Sequence, residues 1–188
     1  MKIIQKYKQK AYKFIVPKPF MFFRIKKIKG KEYAYIVENE WKRKGSRQKV
    51  KGYLGRVYRF EAKNNVDFLQ FMKILSPESY ISNNDSNNIL KDLIEWELFK
   101  FDVSAQNFLI GLGNLKIQKN EKDVVLLIND GFMCSLTLKN LIGFKVSGDE
   151  QSDGYRLARA FVEAGIKVPQ EIFVGLFGKL YKTTEKQT

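Results

Sequence analysis

Lysine and arginine side chains crowd two glycine-containing segments near the front of the sequence. The first group surrounds Lys29-Gly30-Lys31 and the second surrounds Arg43-Lys44-Gly45-Ser46. The cations are Arg24, Lys26, Lys27, Lys29, Lys31, Lys42, Arg43, Lys44, Arg47, Lys49, Lys51 and Arg56. Each phosphate that such cations neutralise releases counterions and adds affinity that does not depend on nucleotide sequence. If the two segments are neighbouring turns on a small sheet, they predict a salt-sensitive contact with a polyanion.

The excess positive charge is confined to one third of the chain. Residues 1–63 contain 20 Lys and Arg against 4 Asp and Glu, a net charge of +16. The whole chain carries +14, so residues 64–188, with 14 Lys and Arg against 16 Asp and Glu, carry −2. Clustered cations repel one another unless an anionic partner neutralises them. The asymmetry indicates nucleic acid, either DNA or RNA, as the partner of the first third.

Four aromatic residues are interleaved with these cations: Tyr33, Tyr35, Trp41 and Tyr53. Aromatic rings stack on unpaired bases when they point to the solvated face of a sheet. Tyr33, Tyr35 and Val37 share one face of a predicted strand, and a row at this spacing more often belongs to a core. The sequence therefore favours packing for these rings, with base stacking as the alternative.

The sequence contains no histidine, and Cys134 is its only cysteine. These facts exclude disulfides within the chain, Cys/His zinc sites, imidazole catalysis and the Ser-His and Cys-His nucleophile pairs. Cys134 lies among Phe132, Met133 and Leu136, which predicts a buried apolar side chain. One cysteine, no secretory signal and no apolar run of ~20 residues favour a cytoplasmic protein without a membrane span.

Carboxylates offer the alternative chemistry of a metal-dependent nuclease, which needs neither His nor Cys. Asp123 and Asp130 bracket a predicted strand over residues 124–128. Other acidic residues close in sequence are Glu95, Glu97 and Asp102. We favour surface charges and a turn residue, so no catalytic or metal-binding residue is assigned and a non-enzymatic role is preferred. Gly111-Leu112-Gly113 lacks the third glycine of a dinucleotide loop, and no cofactor is predicted.

The elements that must position the cations are predicted from hydrophobic periodicity. Residues 20–25, 33–37, 48–54 and 57–60 are typical of short strands, the last two broken at Gly52 and Gly55. Further predictions are helices over 66–75, 89–99, 135–142 and 149–164 and strands over 107–118 and 124–128. We predict an α+β fold in which an N-terminal antiparallel β-meander module over residues 1–75 precedes an α+β domain. A linker or loop over 76–88 separates it from that domain, which covers 89–188.

Amphipathic helices are predicted at both ends of the chain. Residues 3–15 place an apolar stripe opposite four lysines, and Pro17 ends the helix. This helix either docks on the core or contacts phosphates or an anionic membrane surface. The last helix starts at Pro169 and carries the apolar stripe Ile172, Phe173, Leu176, Phe177 and Leu180. Core packing is the favoured use of that stripe, and contact with a protein partner or a homodimer is the alternative.

A family resemblance is carried by three segments: Phe23-Arg24-Ile25-Lys26, Tyr33-Ala34-Tyr35-Ile36-Val37-Glu38 and Arg47-Gln48-Lys49-Val50-Lys51-Gly52-Tyr53-Leu54-Gly55-Arg56. Over about residues 20–60 they resemble the opening region of DDE-type insertion-sequence transposases and are similar to small uncharacterised archaeal proteins. In those transposases this region precedes an RNase-H-like catalytic domain with three metal-binding carboxylates, and no such triad is placed here. The resemblance implies nucleic-acid association through Arg24, Arg47, Lys49, Lys51 and Arg56.

Three classes of function stay open at this point. The preferred class is a binding module, either a DNA binder derived from a mobile element or an RNA- or ribosome-associated protein. The alternatives are a carboxylate nuclease and a peripheral membrane protein that binds through residues 2–15. Basic turns and aromatic residues suit DNA and RNA equally.

The second basic group generates a direct prediction. Replacing Lys42, Arg43, Lys44 and Arg47 with neutral residues should weaken nucleic-acid binding and flatten its salt dependence, because fewer counterions are released. Binding titrations over a series of salt concentrations measure both effects. Unchanged affinity and slope would remove this group from the binding surface.

Overall fold

The computed structural model describes residues 21–42, 45–103 and 107–185, without the side chains of residues 41, 42 and 183–185. The predicted helix over residues 3–15 lies outside this part of the chain. So do Arg43 and Lys44 of the second basic group, together with the side chains of Trp41 and Lys42.

One sheet organises the described residues. Its strands are β1 (Met21–Ile28), β2 (Lys31–Lys42), β3 (Gly45–Arg59), β4 (Leu109–Gly111), β5 (Lys116–Lys119), β6 (Lys122–Ile128) and β7 (Gly131–Met133). They follow the order β1-β2-β3-β6-β5-β4, and β7 pairs with β6. The first three strands form an antiparallel meander, and β3 then pairs with β6 in parallel. The α+β class and the N-terminal meander are confirmed.

The helices are α1 (Phe68–Met72), α2 (Pro77–Asn83), α3 (Ser86–Lys100), α4 (Ser135–Ile142), α5 (Glu150–Ala164) and α6 (Gln170–Glu185). The predicted linker over 76–88 is instead mostly helical. Ser76 caps α2 by accepting a hydrogen bond from the Ser79 amide at 3.2 Å. Asp85 caps α3 through the amides of Asn87 and Asn88. The polar residues that suggested a flexible segment are helix caps.

Two strand predictions also differ from the structure. The strands predicted over 48–54 and 57–60 are one strand, β3, which ends at Arg59, because bulges absorb the irregularity at Gly52 and Gly55. Residues 107–118 form two short strands, β4 and β5, which pair with each other across an intervening turn. The pairing of β3 with β6 also carries the sheet across the predicted boundary between the N-terminal module and the α+β domain.

A large core lies between the helices and one face of β6, and a smaller one lies under the meander. Leu93, Ile94 and Phe161 are among the fully buried side chains of the large core. Ala34, Val57, Val125 and Cys134 form the centre of the small one. The prediction for Cys134 is confirmed, since its side chain is 2% exposed and burial raises the pKa of the thiol.

The apolar stripe of α6 packs against the large core, as the sequence favoured. Ile172 and Leu176 are fully buried. The other members, Phe173, Phe177 and Leu180, are partly buried against the same core. None of the helices among the described residues is long and apolar enough to cross a membrane.

The close approach of β3 to β6 depends on Gly55. Its φ of +129° is a conformation that L side chains rarely adopt. A Cβ atom at this position would lie 2.3 Å from the carbonyl oxygen of Asp123 in β6. The glycine therefore permits both the bulge in β3 and the parallel pairing beside it.

We predict that Gly55→Ala lowers the free energy of unfolding by roughly 2–3 kcal/mol, because it combines backbone strain with a collision against β6. Urea unfolding followed by circular dichroism measures the change. Gly113→Ala is the matched control, because a Cβ atom there meets nothing within 4 Å. Equal stability of the two variants would contradict this role for Gly55.

Asp153 joins α5 to α6 from a fully buried position. Its carboxylate accepts hydrogen bonds from the Ser147 amide at 2.6 Å, the Ser147 hydroxyl at 2.8 Å and the Tyr181 hydroxyl at 2.9 Å, and it pairs with Arg156. Burial alone would raise the pKa of Asp153, but these hydrogen bonds and one from the Gly148 amide lower it to about 2. The carboxylate is therefore held in its charged form.

This arrangement predicts acid sensitivity. The folded pKa of Asp153 lies below the ~3.9 of an unfolded aspartate, so the carboxylate stabilises the fold above about pH 4. That stabilisation is lost as the pH falls from about 4 to about 2. Asp153→Asn should lower Tm at pH 7 by at least about 5 °C, and the gap to wild type should narrow towards pH 2–3. Thermal melts across this pH range measure it, and a constant gap would disprove the assignment.

Candidate functional site

Two rows of side chains cross one face of the meander. The register pairs Arg24 with Tyr35 and Tyr35 with Tyr53, which forms the first row. The second row consists of Lys26, Tyr33 and Arg56, paired in the same way. Directly opposed residues of antiparallel strands point to the same side of the sheet. We call the surface formed by these six residues the tyrosine face.

The bulges in β3 are what bring Tyr53 and Arg56 to the same face. These two residues are three positions apart, and in a regular strand they would point to opposite sides. Leu54 is the extra residue between the pairs Tyr35–Tyr53 and Ala34–Gly55. After this bulge the side chains of β3 again alternate between the two sides of the sheet in step with those of β2. The sheet therefore carries both side chains on the tyrosine face.

The ring of Tyr53 contacts the rings of both other tyrosines. The centroid of Tyr53 lies 5.4 Å from that of Tyr35 and 6.3 Å from that of Tyr33, with tilted planes. Tyr33 and Tyr35 are half-buried, whereas Tyr53 is 58% exposed. Partial desolvation raises the pKa of Tyr53, and the neighbouring Tyr33 and Tyr35 raise it further. Its hydroxyl is therefore a hydrogen-bond donor at neutral pH.

Cations are layered over and beside these rings. The Lys26 ammonium lies 5.1 Å from the centre of the Tyr35 ring. Arg56, which pairs with Tyr33 across the strands, has its guanidinium 4.8 Å from the centre of the Tyr58 ring. Arg24 donates a hydrogen bond to the side chain of Gln48. Arg24 and Lys26 are exposed and Arg56 is half-buried, so all three reach solvent from a defined position.

The carboxylates of β2 point the other way. Glu32, Glu38 and Glu40 alternate with the tyrosines of the same strand, so they lie on the opposite face. Arg59 binds both carboxylate oxygens of Glu32, at 2.7 and 3.1 Å. This hydrogen bonding lowers the pKa of Glu32.

Lysines form ion pairs with the remaining carboxylates of the opposite face. Lys51 pairs with Glu38, which is only 6% exposed, and Lys49 pairs with Glu40 at 3.2 Å. Further along this face, Phe23 stacks on Phe132 of β7 with the ring centroids 4.8 Å apart. The opposite face thus combines paired charges with packing against the rest of the fold.

The sheet divides the predicted cations between its two sides. Arg24, Lys26 and Arg56 belong to the tyrosine face, and Lys31 lies on the same side of the sheet. Lys27, Arg47, Lys49 and Lys51 lie on the opposite face, and Lys29 lies in the first turn. All the cations in this list are exposed except Arg56, which is half-buried. The list as a whole does not form one surface, because adjacent strand residues point to opposite sides.

The two basic segments are not neighbours, contrary to our expectation. Lys29 and Gly30, both with positive φ, make the two-residue turn between β1 and β2, as predicted. The second segment joins the far end of β2 to the start of β3 at Gly45. Successive turns of a meander lie at opposite ends of the shared strand, and the twelve residues of β2 separate them by roughly 40 Å.

The packing expectation for the aromatic residues is met only in part. Tyr33 and Tyr35 share one strand face with Val37, and Val37 is 1% exposed. The two rings, however, lie beside the exposed Tyr53 and away from the two apolar cores.

Two polar residues near this surface were missed by the sequence interpretation. Gln48 is bound by Arg24. Lys119 of β5 lies 5.2 Å from the centre of the Tyr58 ring and 4.3 Å from that of Phe108. No local signal marks Lys119, because β5 joins this region only through the β3–β6 pairing.

The acidic residues considered for a nuclease are dispersed. Asp123 and Asp130 lie at opposite ends of β6, roughly 20 Å apart, which is too far to share a metal ion. Glu97 is fully buried and binds the Asn129 side chain at 2.8 Å and the Lys167 amide at 2.9 Å. Asp102 pairs with Lys63. Within the described ranges, no three His, Cys, Asp or Glu side chains are grouped as metal ligands.

An apolar groove of about 720 Å³ lies between α2 and α6, away from the meander. Gly175 of α6 faces Ile81 of α2, and a Cβ atom at Gly175 would lie 2.2 Å from the Ile81 side chain. The Lys179 ammonium binds the carbonyl oxygens of Ile81 at 2.7 Å and Ser82 at 3.2 Å. This cation therefore caps the end of α2, which is a structural role.

Comparison with known proteins gives no relative: no family model, no curated protein and no solved structure matches the chain.

Proposed function

We propose that this protein binds nucleic acid, with the cations of the tyrosine face contacting the sugar-phosphate backbone. The proposal is for binding without turnover, and its ligand is DNA or RNA. The resemblance of residues 20–60 to the opening region of transposases is in keeping with the same class of ligand.

The observation that carries the proposal is the separation of charge across the meander. The carboxylates of β2 lie on one side, where Arg59, Lys51 and Lys49 neutralise them. Arg24, Lys26 and Lys31 lie exposed on the other. A face rich in cations and poor in carboxylates has a positive potential, which attracts a polyanion and speeds its association. Charges mixed on one face would cancel instead.

Affinity from such a face should depend steeply on salt. Each phosphate contact releases condensed counterions, so the logarithm of the binding constant falls linearly with the logarithm of the salt concentration. Hydrogen-bonded and ring-stacked cations are also partly immobilised before binding, and so lose less side-chain entropy on contact. A cytoplasmic location, which we also propose, would expose this face to nucleic acid.

Adjacent lysines of β1 provide the sharpest test. Lys26 points to the tyrosine face and Lys27 to the opposite face, beside Glu32. Lys26→Gln should weaken binding roughly five- to tenfold near 0.1 M salt and reduce the salt slope by about 1, because one phosphate contact is lost. Fluorescence anisotropy with a labelled oligonucleotide measures both quantities.

Lys27→Gln is the matched control, since it removes the same charge from the next residue of the same strand. Its effect on affinity should be less than about twofold at 0.1 M salt, where exposed charges beyond ~10 Å are largely screened. Equal losses for the two variants would mean that net charge, and not this face, determines binding. The proposal would be wrong if wild-type protein bound neither single strands nor duplexes at low salt.

A further inference from the structure

We propose that the ligand is single-stranded and that one of its unpaired bases stacks on the ring of Tyr53. This inference rests on the proposed function and narrows its ligand to DNA or RNA with exposed bases. The cations of the tyrosine face then contact phosphates that neighbour the stacked base.

Tyr53 is suited to this role because its ring is exposed on β3, beside the rings of Tyr35 and Tyr33. Other rings on this side of the sheet already have cations over them: Lys26 lies over Tyr35, and Arg56 and Lys119 lie over Tyr58. Tyr33 is half-buried beside Tyr53. Among the described aromatic residues of the meander, Tyr53 thus has the largest exposure.

The ring of Tyr53 is also held in place before any ligand arrives. Tyr35 and Tyr33 contact it, with centroid distances of 5.4 and 6.3 Å. A side chain with two rotatable torsions and two aromatic neighbours loses little conformational entropy when a base stacks on it. This is the property expected of a stacking platform, because base stacking uses a large, rigid and sequence-tolerant surface.

Exposed apolar side chains extend the platform along the strands. Val50 of β3 is 48% exposed and lies on the same face as Tyr53, because a second bulge, at Lys51, resets the alternation. Ile28, at the end of β1 and two strands away from Tyr53, is 46% exposed on the same side of the sheet. Apolar surface at these positions suits bases and sugars, which have apolar faces of their own.

The positions of the cations fit a backbone that crosses the strands from Tyr53 towards β1. Arg24 lies in the row of Tyr53, and Lys26 and Arg56 lie in the adjacent row. Positions two residues apart on one strand face are roughly 7 Å apart and neighbouring strands about 4.8 Å apart, so Arg56 lies next to a base placed on Tyr53, and Arg24 and Lys26 lie two strands away, on β1.

A duplex would use this face poorly. The bases of a duplex are stacked on one another, and reaching Tyr53 would require extruding one of them, which costs a few kcal/mol. A single strand presents its bases without that penalty. The same phosphates are available in both ligands, so the bases decide between them.

The test uses the full-length chain and four probes of about 12 nucleotides, within the range covered by single-strand binders. The probes are a DNA single strand, the RNA of the same sequence, the DNA duplex, and a DNA backbone of abasic sites. The abasic strand carries the phosphates without the bases. Affinities are measured by fluorescence anisotropy at one low salt concentration.

Tyr53→Ala should weaken binding of the base-containing single strands roughly tenfold and leave the abasic strand unaffected. Tyr53→Phe, which keeps the ring, should bind like wild type. Tyr155→Ala is the matched control, because Tyr155 of α5 is 71% exposed and lies outside the meander. Tyr53→Leu keeps most of the volume and provides a second variant if the alanine variant does not fold, as judged by circular dichroism.

Comparison of the DNA and RNA single strands shows which nucleic acid supplies the stacked base. If Tyr53→Ala weakens binding to both single strands, the protein recognises the base whichever sugar carries it. If the variant weakens binding to only one of them, that nucleic acid is the ligand. Either result supports stacking. Undiminished single-strand binding by Tyr53→Ala, or an equal loss on the abasic strand, would overturn the inference. If that occurs while Lys26→Gln still weakens binding, the proposed function stands. If wild type binds no probe at all, both fail.

Discussion

The candidate interface depends on the two-residue repeat of β2. In that strand tyrosines and glutamates occupy alternate positions, so the pleat sends rings to one side and carboxylates to the other. The neighbouring strands must keep the same phase for this separation to extend across the sheet. β1 does so by regular pairing, and β3 does so only because two extra residues, Lys51 and Leu54, are absorbed as bulges.

Much of this alternation of side chains between the two faces could be predicted from the sequence of β2 alone. The shared face of Tyr33, Tyr35 and Val37 follows from strand periodicity, and so does the opposite placement of Glu32 and Glu38. The bulges could not be predicted, because Gly52 and Gly55 indicate equally well the end of one strand and the start of another. The same ambiguity affected residues 76–88, where Ser, Asn and Asp serve both loops and helix caps. Parallel pairing of β3 with β6 is a long-range contact without a local pattern.

The residues that stabilise the fold are separate from those proposed to bind. Asp153 and Glu97 are fully buried and hydrogen-bonded within the helical part of the chain. The opposite face of the meander packs on β7 through Phe23 and on the small core through Ile25. Side chains of the tyrosine face contribute to neither apolar core. Substitutions there can therefore change affinity with little change in the free energy of unfolding, which makes the two roles separable by experiment.

The position of β1 at the border of the sheet has a further consequence for the behaviour of the protein in solution. Within the described residues it is an edge strand, with one line of backbone groups facing away from β2. Edge strands can recruit the edge of another molecule and start aggregation. β1 carries Arg24, Lys26 and Lys27, and two copies brought edge to edge would place these like charges against one another. Arg24 and Lys26, which also give the tyrosine face its charge, thus act with Lys27 against self-association through this edge.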